Sequence, residues 1–255
     1  MYFEYFYTLV LALIQGITEF IPVSSSSHLI IFSQGSNFSY GSLELDVGLH
    51  LGSLLAIILY FKKDLIEIRK NKNLISLLFF GSLPLLVVGF ILYNSGIINF
   101  FRNIEIIAWT TLLFGIFLYI ADKSNINKKI DNNLNIKNIF IIGMFQCLAL
   151  IPGVSRSGIT ITSARLIEFN RVDASKISFY LSIPALMGAS FLGLKELFNK
   201  NLDFNLVILF SFILSFIFSY ITIKYFLIYV KNYSLNIFVY YRIFLALVLF
   251  VFIYG

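Results

Sequence analysis

The sequence predicts an all-α membrane protein that crosses the bilayer several times. Of its 255 residues, 59% are hydrophobic and only 13% are charged, whereas roughly a quarter of the residues in a soluble domain carry charge. A helix that spans the bilayer needs about 20 residues. Several uncharged stretches reach about this length, and Leu74 to Phe101 is one of them. We therefore expect a single membrane-embedded domain over residues 1–255.

Six segments are long and apolar enough to cross the bilayer completely. They are residues 47–61, 74–93, 104–121, 177–194, 206–223 and 235–254. Arg242 lies about two turns into the last of them, where it either extends to the membrane surface or pairs with a carboxylate. His50, near the start of the first, either faces an internal cavity or caps its helix.

Basic residues are concentrated in two short connections. One holds Lys62, Lys63, Arg69, Lys70 and Lys72, and the other holds Lys123, Lys128, Lys129 and Lys137. Short loops rich in Lys and Arg remain on the cytoplasmic side. We therefore place both loops inside, the second as a cytoplasmic linker over residues 122–138.

Two further apolar segments cannot be simple spans if both loops are cytoplasmic. The stretch 139–161 begins and ends inside, because the spans that follow it place Arg165 to Lys176 inside as well. We expect it to enter the membrane and turn back at Pro152-Gly153, since proline removes a helix hydrogen bond. By the same argument, residues 8–31 re-enter from the outer side and turn at Pro22.

The two broken segments resemble each other at an offset of 131 residues. Gln15, Val23, Ser24 and Ser26 align with Gln146, Val154, Ser155 and Ser157. Chance similarity between serine-rich turns is the alternative. Segments that enter from opposite faces are, however, typical of inverted-topology repeats, which place a binding site near the midplane. We predict repeat halves of approximately 1–121 and 139–255.

The first broken segment carries the residues expected to perform chemistry. Gln15 and Glu19 are four residues apart and share a helix face. A carboxylate inside the membrane is a functional candidate by default, a structural ion pair being the alternative. Ser24 to Ser27 and then His28 follow Pro22. Serines at a helix start cap free N–H groups, and such N–H groups also bind anions.

The second broken segment supplies a cationic cradle. Arg156 presents a planar fork suited to phosphate oxygens, and Ser155, Ser157 and Thr160 surround it. An arginine that only extends to the membrane surface is the alternative, which the proline-broken setting disfavours. The two segments together predict a phosphate-handling site.

Each candidate residue has an expected role in phosphoryl chemistry. Arg156 and backbone N–H groups would stabilise charge on the phosphoryl oxygens. Ser25 or His28 would act as the nucleophile, or His28 would act as general acid and base. Glu19 would hold a divalent cation or orient water.

Composition disfavours several other functions. A single cysteine excludes an intramolecular disulfide, and no Cys/His cluster suggests zinc. The net charge of +6 is better explained by cytoplasmic loops than by a surface for nucleic acid.

The motifs QGITEFIPVSSSSHL and FQCLALIPGVSRSGITI resemble the two signature motifs of the undecaprenyl-diphosphatase family of the bacitracin-resistance type. FYLSIPALMGAS and HLGSLLAIILYF also fit its pattern, so the resemblance covers nearly the whole chain. It implies a multi-pass hydrolase of the bacterial cytoplasmic (inner) membrane that acts on a phosphorus acid anhydride. The reaction converts undecaprenyl diphosphate into inorganic phosphate and undecaprenyl phosphate, the carrier lipid for peptidoglycan and cell-wall synthesis, and it confers bacitracin resistance.

The resemblance also implies dependence on Mg²⁺ or Ca²⁺ and a site that opens to the outer face. Its functional residues fall on Gln15, Glu19, Ser24, Ser25, His28, Ser155, Arg156, Ser157 and Thr160. We assign catalysis to Glu19, Ser25, His28 and Arg156, phosphate binding to Ser24, Ser26, Ser155, Ser157 and Thr160, and metal binding to Glu19 with Gln15. Two residues depart from the family pattern: Gln15 replaces an acidic residue, and Ser27 replaces a glycine.

Two other functions are compatible with the predicted architecture. A transporter or flippase for a phosphorylated lipid or anion is one, because inverted repeats are common in transporters, and a scaffold with a polar core is another. A Glu–Ser–His cluster that faces an arginine favours chemistry, since transport needs no nucleophile. The expected partners are an isoprenyl diphosphate lipid and the bilayer, without nucleic acid, and both a monomer and a homo-oligomer are open.

Overall fold

The computed structural model of the protein describes residues 2–35, 43–70, 72–124, 128–199 and 206–255. Within these ranges the chain is helical and contains no β-strand, which confirms the all-α prediction. The helices are α1 Tyr2–Thr18, α2 Ser25–Gly35, α3 Leu43–Tyr60, α4 Lys62–Lys70, α5 Lys72–Ser95, α6 Ile104–Asp122, α7 Ile130–Asn133, α8 Ile136–Gln146, α9 Arg156–Leu166, α10 Arg171–Asn199, α11 Leu206–Asn232 and α12 Asn236–Tyr254. Short 3₁₀ segments cover Ile97–Phe101 and Cys147–Leu150.

Five helices in the described ranges are long and apolar enough to cross a membrane, namely Ile75–Ser95 of α5, α6, α10, α11 and α12. This confirms a multi-pass membrane protein. The sixth predicted span, 47–61, falls in α3, which is apolar but shorter than these five. The longest of the five is α10, which has 29 residues. Its first turns carry charged residues and precede the predicted apolar stretch.

Opposite ends of α6 and α12 are joined by polar contacts. Tyr254 donates to Glu105 Oε1 at 2.6 Å, and at the other end the Leu235 N–H donates to Asp122 Oδ2 at 3.0 Å. The two helices therefore run antiparallel, as the charge distribution predicts. The end that contains Asp122 is called the polar end below.

The second broken segment, α8 to α9, starts and ends at the polar end. Residues that flank the segment on both sides are hydrogen-bonded to each other. The Lys128 N–H donates to the Glu168 carbonyl at 2.9 Å, and the Asn170 N–H donates to the Lys128 carbonyl at 3.1 Å. The chain therefore leaves and re-enters the same neighbourhood. In the first broken segment, the rings of Tyr7 on α1 and Phe32 on α2 are 5.9 Å apart, so the start of α1 lies beside the end of α2. Both segments thus double back.

Each broken segment contains a backbone turn that interrupts its helix. Gly153 has a φ of 92° in the second turn. A Cβ at this position would lie 1.9 Å from Thr110 Oγ1, so only glycine combines this φ with such a close approach. Thr110 Oγ1 also donates to the Pro152 carbonyl at 2.7 Å. Packing against α6 therefore determines where this helix breaks.

Candidate active site

A cavity of about 220 Å³ lies where the two helix breaks meet. Its polar lining consists of Thr18, Glu19, Ser24, Ser25, Ser26, His50, Ser155 and Arg156. Leu85, Leu150 and Leu186 are among the aliphatic residues that complete the wall. Residues of both broken segments therefore share one cavity.

An ion pair connects the two segments inside this cavity. Arg156 Nη2 lies 2.9 Å from Glu19 Oε1, and the two side chains are only 13% and 10% exposed. Arg156 Nη1 also donates to the Ser178 carbonyl at 3.1 Å. Because a partly buried pair is screened less by salt than an exposed one, it holds the carboxylate and the guanidinium close together.

The second oxygen of Glu19 accepts two hydrogen bonds from its own segment. Ser25 Oγ donates to Glu19 Oε2 at 2.7 Å, and Gln15 Nε2 donates to the same oxygen at 3.1 Å. Ser25 is the first residue of α2 and is half-buried. A hydroxyl that donates to a buried carboxylate has its base already in place for proton transfer.

The two turns have the same local geometry at positions 131 residues apart. Ser24 has a φ of 76° and Ser155 a φ of 71°, which is uncommon for residues other than glycine. Ser24 Oγ lies 3.3 Å from Ser26 Oγ, and Ser155 Oγ lies 3.2 Å from Ser157 Oγ. Strained residues of this kind cluster at functional sites. The match agrees with the predicted repeat, although the division of the chain into two halves stays a prediction.

His28 is held close to the cavity but is not part of its lining. Its Nδ1 donates to the Ser24 carbonyl at 2.6 Å, and its Nε2 lies 2.6 Å from the Tyr241 hydroxyl. The two rings are stacked with centroids 5.7 Å apart. In this arrangement His28 orients the serine turn, and its predicted catalytic role stays a prediction.

Ser157 and Thr160 are buried behind the cavity. Ser157 Oγ donates to the Ile21 carbonyl at 2.8 Å, which joins the second segment to the first. Thr160 Oγ1 lies 2.7 Å from Ser178 Oγ and 2.8 Å from the Arg156 carbonyl. Neither side chain lines the cavity, so this geometry favours Ser24, Ser26 and Ser155 over these two as phosphate ligands.

The structure places Arg242 at the junction of both turns, which neither interpretation of the sequence anticipated. The side chain is completely buried and does not pair with a carboxylate in the described part of the chain. Its guanidinium donates to the carbonyls of Pro22 at 3.2 Å, Gly153 at 2.8 Å and Val154 at 3.1 Å. It therefore links the first turn to the second. Its only signal in the sequence is a charge within an otherwise apolar span.

His50 lies in the cavity, in agreement with one of its two interpretations. Its Nδ1 donates to the Asp46 carbonyl at 2.8 Å. Nε2 is the ring nitrogen that this hydrogen bond does not use. Because α3 brings it there from outside both broken segments, the motifs alone could not include it in the site.

The oxygen atoms near Glu19 suit a divalent cation whose coordination is completed by the substrate. No group of three or more His, Cys, Asp or Glu side chains in the described ranges could hold a metal. Gln15 Oε1 is buried without a hydrogen-bond partner and belongs to the amide that contacts Glu19. Mg²⁺ commonly binds through one or two carboxylates together with substrate phosphates. Gln15 itself does not line the cavity, so a cation there would bind through Glu19 and the oxygens of a diphosphate substrate.

The chain is similar in sequence to a family of known proteins. The sequence model described as "Bacitracin resistance protein BacA" matches residues 8–248. An undecaprenyl-diphosphatase of Pelagibacter ubique is 54% identical over 248 residues, which cover 97% of this chain and 97% of the relative. The undecaprenyl-diphosphatase of Elusimicrobium minutum is 38% identical with 94% of each chain covered. That of Alcanivorax borkumensis is 39% identical with 96% and 98% covered.

Proposed function

The chain belongs to the bacitracin resistance protein BacA family, and from this membership we propose that it hydrolyses undecaprenyl diphosphate to undecaprenyl phosphate and inorganic phosphate. The observation that carries the proposal is the hydrogen-bonded series Ser25–Glu19–Arg156 in one cavity. It joins a hydroxyl, a base and an anion-binding fork. The relatives named above are all called undecaprenyl-diphosphatases, and no observation favours the transporter interpretation.

Arg156 is suited to the terminal phosphoryl group of the substrate. A guanidinium can match two phosphate oxygens at once, and that of Arg156 is held in the cavity by Glu19 at Nη2 and by the Ser178 carbonyl at Nη1. Ser24, Ser26 and Ser155 offer further hydroxyl donors from the same lining. Together they stabilise the charge that builds up on the phosphoryl oxygens during transfer.

The geometry favours Ser25 over His28 as the attacking group. Ser25 Oγ lies in the cavity and donates to Glu19 Oε2, whereas His28 is engaged with Ser24 and Tyr241. In the proposed reaction the Ser25 oxygen bonds to the terminal phosphorus and Glu19 takes the hydroxyl proton. The bond from phosphorus to the bridging oxygen breaks, and undecaprenyl phosphate leaves. Water then hydrolyses the phosphoserine and releases phosphate.

A divalent cation is part of the proposal. Glu19 and Gln15 would hold Mg²⁺ or Ca²⁺, which when bound neutralises charge on the diphosphate oxygens. Gln15 provides an amide oxygen where a second carboxylate would bind more tightly.

Two apolar grooves next to the cavity are suited to the isoprenyl chain. One, of about 310 Å³, shares Thr18 with the cavity and extends to Ile237 and Phe238. A larger one of about 640 Å³ continues from Ile17 and Ile237 along α11 and α12. These grooves place apolar surface next to the cavity for the tail of a bound headgroup. We further propose that the protein lies in the bacterial inner membrane with its site open to the outer face, where it renews the carrier lipid of wall synthesis.

Phosphate release from undecaprenyl diphosphate tests the function. The purified full chain is assayed with Mg²⁺, with Ca²⁺ and with a chelator. We expect release with a divalent cation and its loss in Arg156→Ala and Glu19→Ala, while Arg102→Ala, an exposed arginine, keeps wild-type turnover. Failure to release phosphate with either metal would overturn the proposed activity, and wild-type turnover in Arg156→Ala would show that the site is misplaced.

A further inference from the structure

A second polar cavity, of about 780 Å³, lies at the polar end of the molecule. It shares no lining residue with the candidate active site. Its charged residues are Asp122, Lys123, Arg165, Arg171 and Lys231, and we call it the basic pocket. It is therefore a cavity separate from the candidate active site.

The basic pocket has a large excess of positive charge. Four of its charged side chains are cationic and one, Asp122, is anionic. Both carboxylate oxygens of Asp122 are already engaged: Oδ1 accepts from Arg171 Nε at 2.7 Å, and Oδ2 accepts from the Leu235 N–H at 3.0 Å. Lys123 and Lys231 form no ion pair with any described residue. The charges of these two lysines are thus left without a carboxylate partner among the described residues.

Arg165 gives the pocket a preformed, buried cation. It is 3% exposed, and its Nη1 and Nη2 donate to the carbonyls of Phe169 and Asp122 at 2.7 and 3.1 Å. Its Nε donates no hydrogen bond and lies 3.5 Å from Asp122 Oδ1. Arg165 is therefore a fixed cation whose one carboxylate partner, Asp122, is shared with Arg171.

Two helices begin at this pocket and add to its positive potential. Arg171 is the first residue of α10, and Asn236 is the first residue of α12. The residue before Asn236 makes no side-chain capping hydrogen bond. The N-terminus of α10 is capped by Asn170 Oδ1, which accepts from the Asp173 N–H at 2.9 Å. The N-terminus of α12 is therefore the one that offers partial positive charge and uncapped N–H groups to an anion.

We propose that the basic pocket binds a phosphate group. Arginine forks match phosphate oxygens, and basic pockets between transmembrane helices bind anionic lipid headgroups. The ligand is either inorganic phosphate or the phosphate headgroup of a membrane lipid at this end. The same chemistry serves both, and the experiment separates them.

The first measurement uses inorganic phosphate and the thermal midpoint of the full chain in detergent. The Arg156→Ala background weakens phosphate binding at the candidate active site. Phosphate should raise the midpoint relative to chloride at equal ionic strength, and Lys123→Gln/Lys231→Gln should weaken its apparent affinity by about tenfold or more. The matched control Lys129→Gln/Lys137→Gln removes the same charge from the predicted cytoplasmic linker and should leave the shift unchanged.

The second measurement uses nanodiscs of phosphatidylcholine with and without phosphatidylglycerol. If a headgroup is the ligand, phosphatidylglycerol abolishes the phosphate-induced shift and remains bound in native mass spectra, and less is retained in Lys123→Gln/Lys231→Gln. If free phosphate is the ligand, the shift persists in both nanodiscs. Equal behaviour of the pocket and control variants toward both probes would overturn the proposal, whatever the result of the hydrolysis assay.

Discussion

Replacing Arg242 with methionine should damage both the stability and the activity of the protein. The guanidinium makes four hydrogen bonds of 2.8 to 3.2 Å to the carbonyls of Pro22, Thr111, Gly153 and Val154. These carbonyls belong to both helix turns and to α6. Because the side chain is completely buried, the substitution removes the donor to the Pro22, Gly153 and Val154 carbonyls, whereas the Thr111 carbonyl lies within α6.

The size of the effect follows from these contacts. Hydrogen bonds to charged groups each contribute about 1.5–3 kcal/mol, so four of them set an upper limit of roughly 6–12 kcal/mol. The folded protein also has to desolvate one guanidinium, which costs several kcal/mol, and methionine removes that term. We expect a net loss of about 3 kcal/mol, or a midpoint lowered by about 6–12 °C. Turnover should fall further, because the two turns that position Glu19 and Arg156 lose their common anchor.

Thermal unfolding and phosphate release are measured on the same detergent-purified samples. Thr111→Val is the matched control in the same neighbourhood: its hydroxyl is buried without a partner, so its removal should be neutral or stabilising. Arg242→Lys, which keeps the charge but loses the fork, should fall between wild type and Arg242→Met. An Arg242→Met protein with the wild-type midpoint and turnover would refute the argument that this side chain holds the turns together.

Three further predictions concern the turn, the metal and the orientation. Gly153→Ala should lower the free energy of unfolding by about 2–4 kcal/mol, because the residue has a positive φ and an added Cβ would clash with Thr110. Thr110→Ala in the same protein should restore part of the loss. An unchanged thermal midpoint in Gly153→Ala would contradict this. Gln15→Glu should lower the Mg²⁺ concentration for half-maximal phosphate release by about tenfold, and an unchanged metal titration would argue against a cation at this position. In an otherwise cysteine-free chain, Arg102→Cys should react with an impermeant thiol reagent from outside and Lys129→Cys only after permeabilisation, while the opposite pattern would reverse the proposed topology.

The sequence predicts the fold well because lipid leaves few alternatives for the backbone. Inside a bilayer, backbone groups must be satisfied internally, so charge-free runs become helices and basic loops set their direction. Pro22 and Pro152 lie in the helix breaks that the structure has at Glu19–Ser24 and Ile151–Ser155, whereas Pro84 and Pro184 lie inside continuous helices. The short contact from Gln15 to Glu19 follows from helical spacing alone.

Contacts between distant parts of the chain could not be predicted in this way. Ser157 donates to a carbonyl 136 residues earlier, and Arg242 reaches one 220 residues earlier. Hydropathy and spacing describe which way a residue faces on its own helix, but not which backbone groups a second segment presents to it. The sequence therefore predicts Ser157 as a phosphate ligand, and only packing shows that its hydroxyl joins the two segments.

The equivalent turns also explain why the chemistry of the site is asymmetric. The same backbone conformation at Ser24 and Ser155 starts a helix at each following residue, which is Ser25 in one segment and Arg156 in the other. Two copies of either sequence would bring together two hydroxyls or two guanidinium groups. Because the copies differ, a nucleophile with its carboxylate meets a cation that pairs with the same carboxylate. A working site of this kind requires both turns to be held in contact, and this requirement accounts for an arginine buried between them.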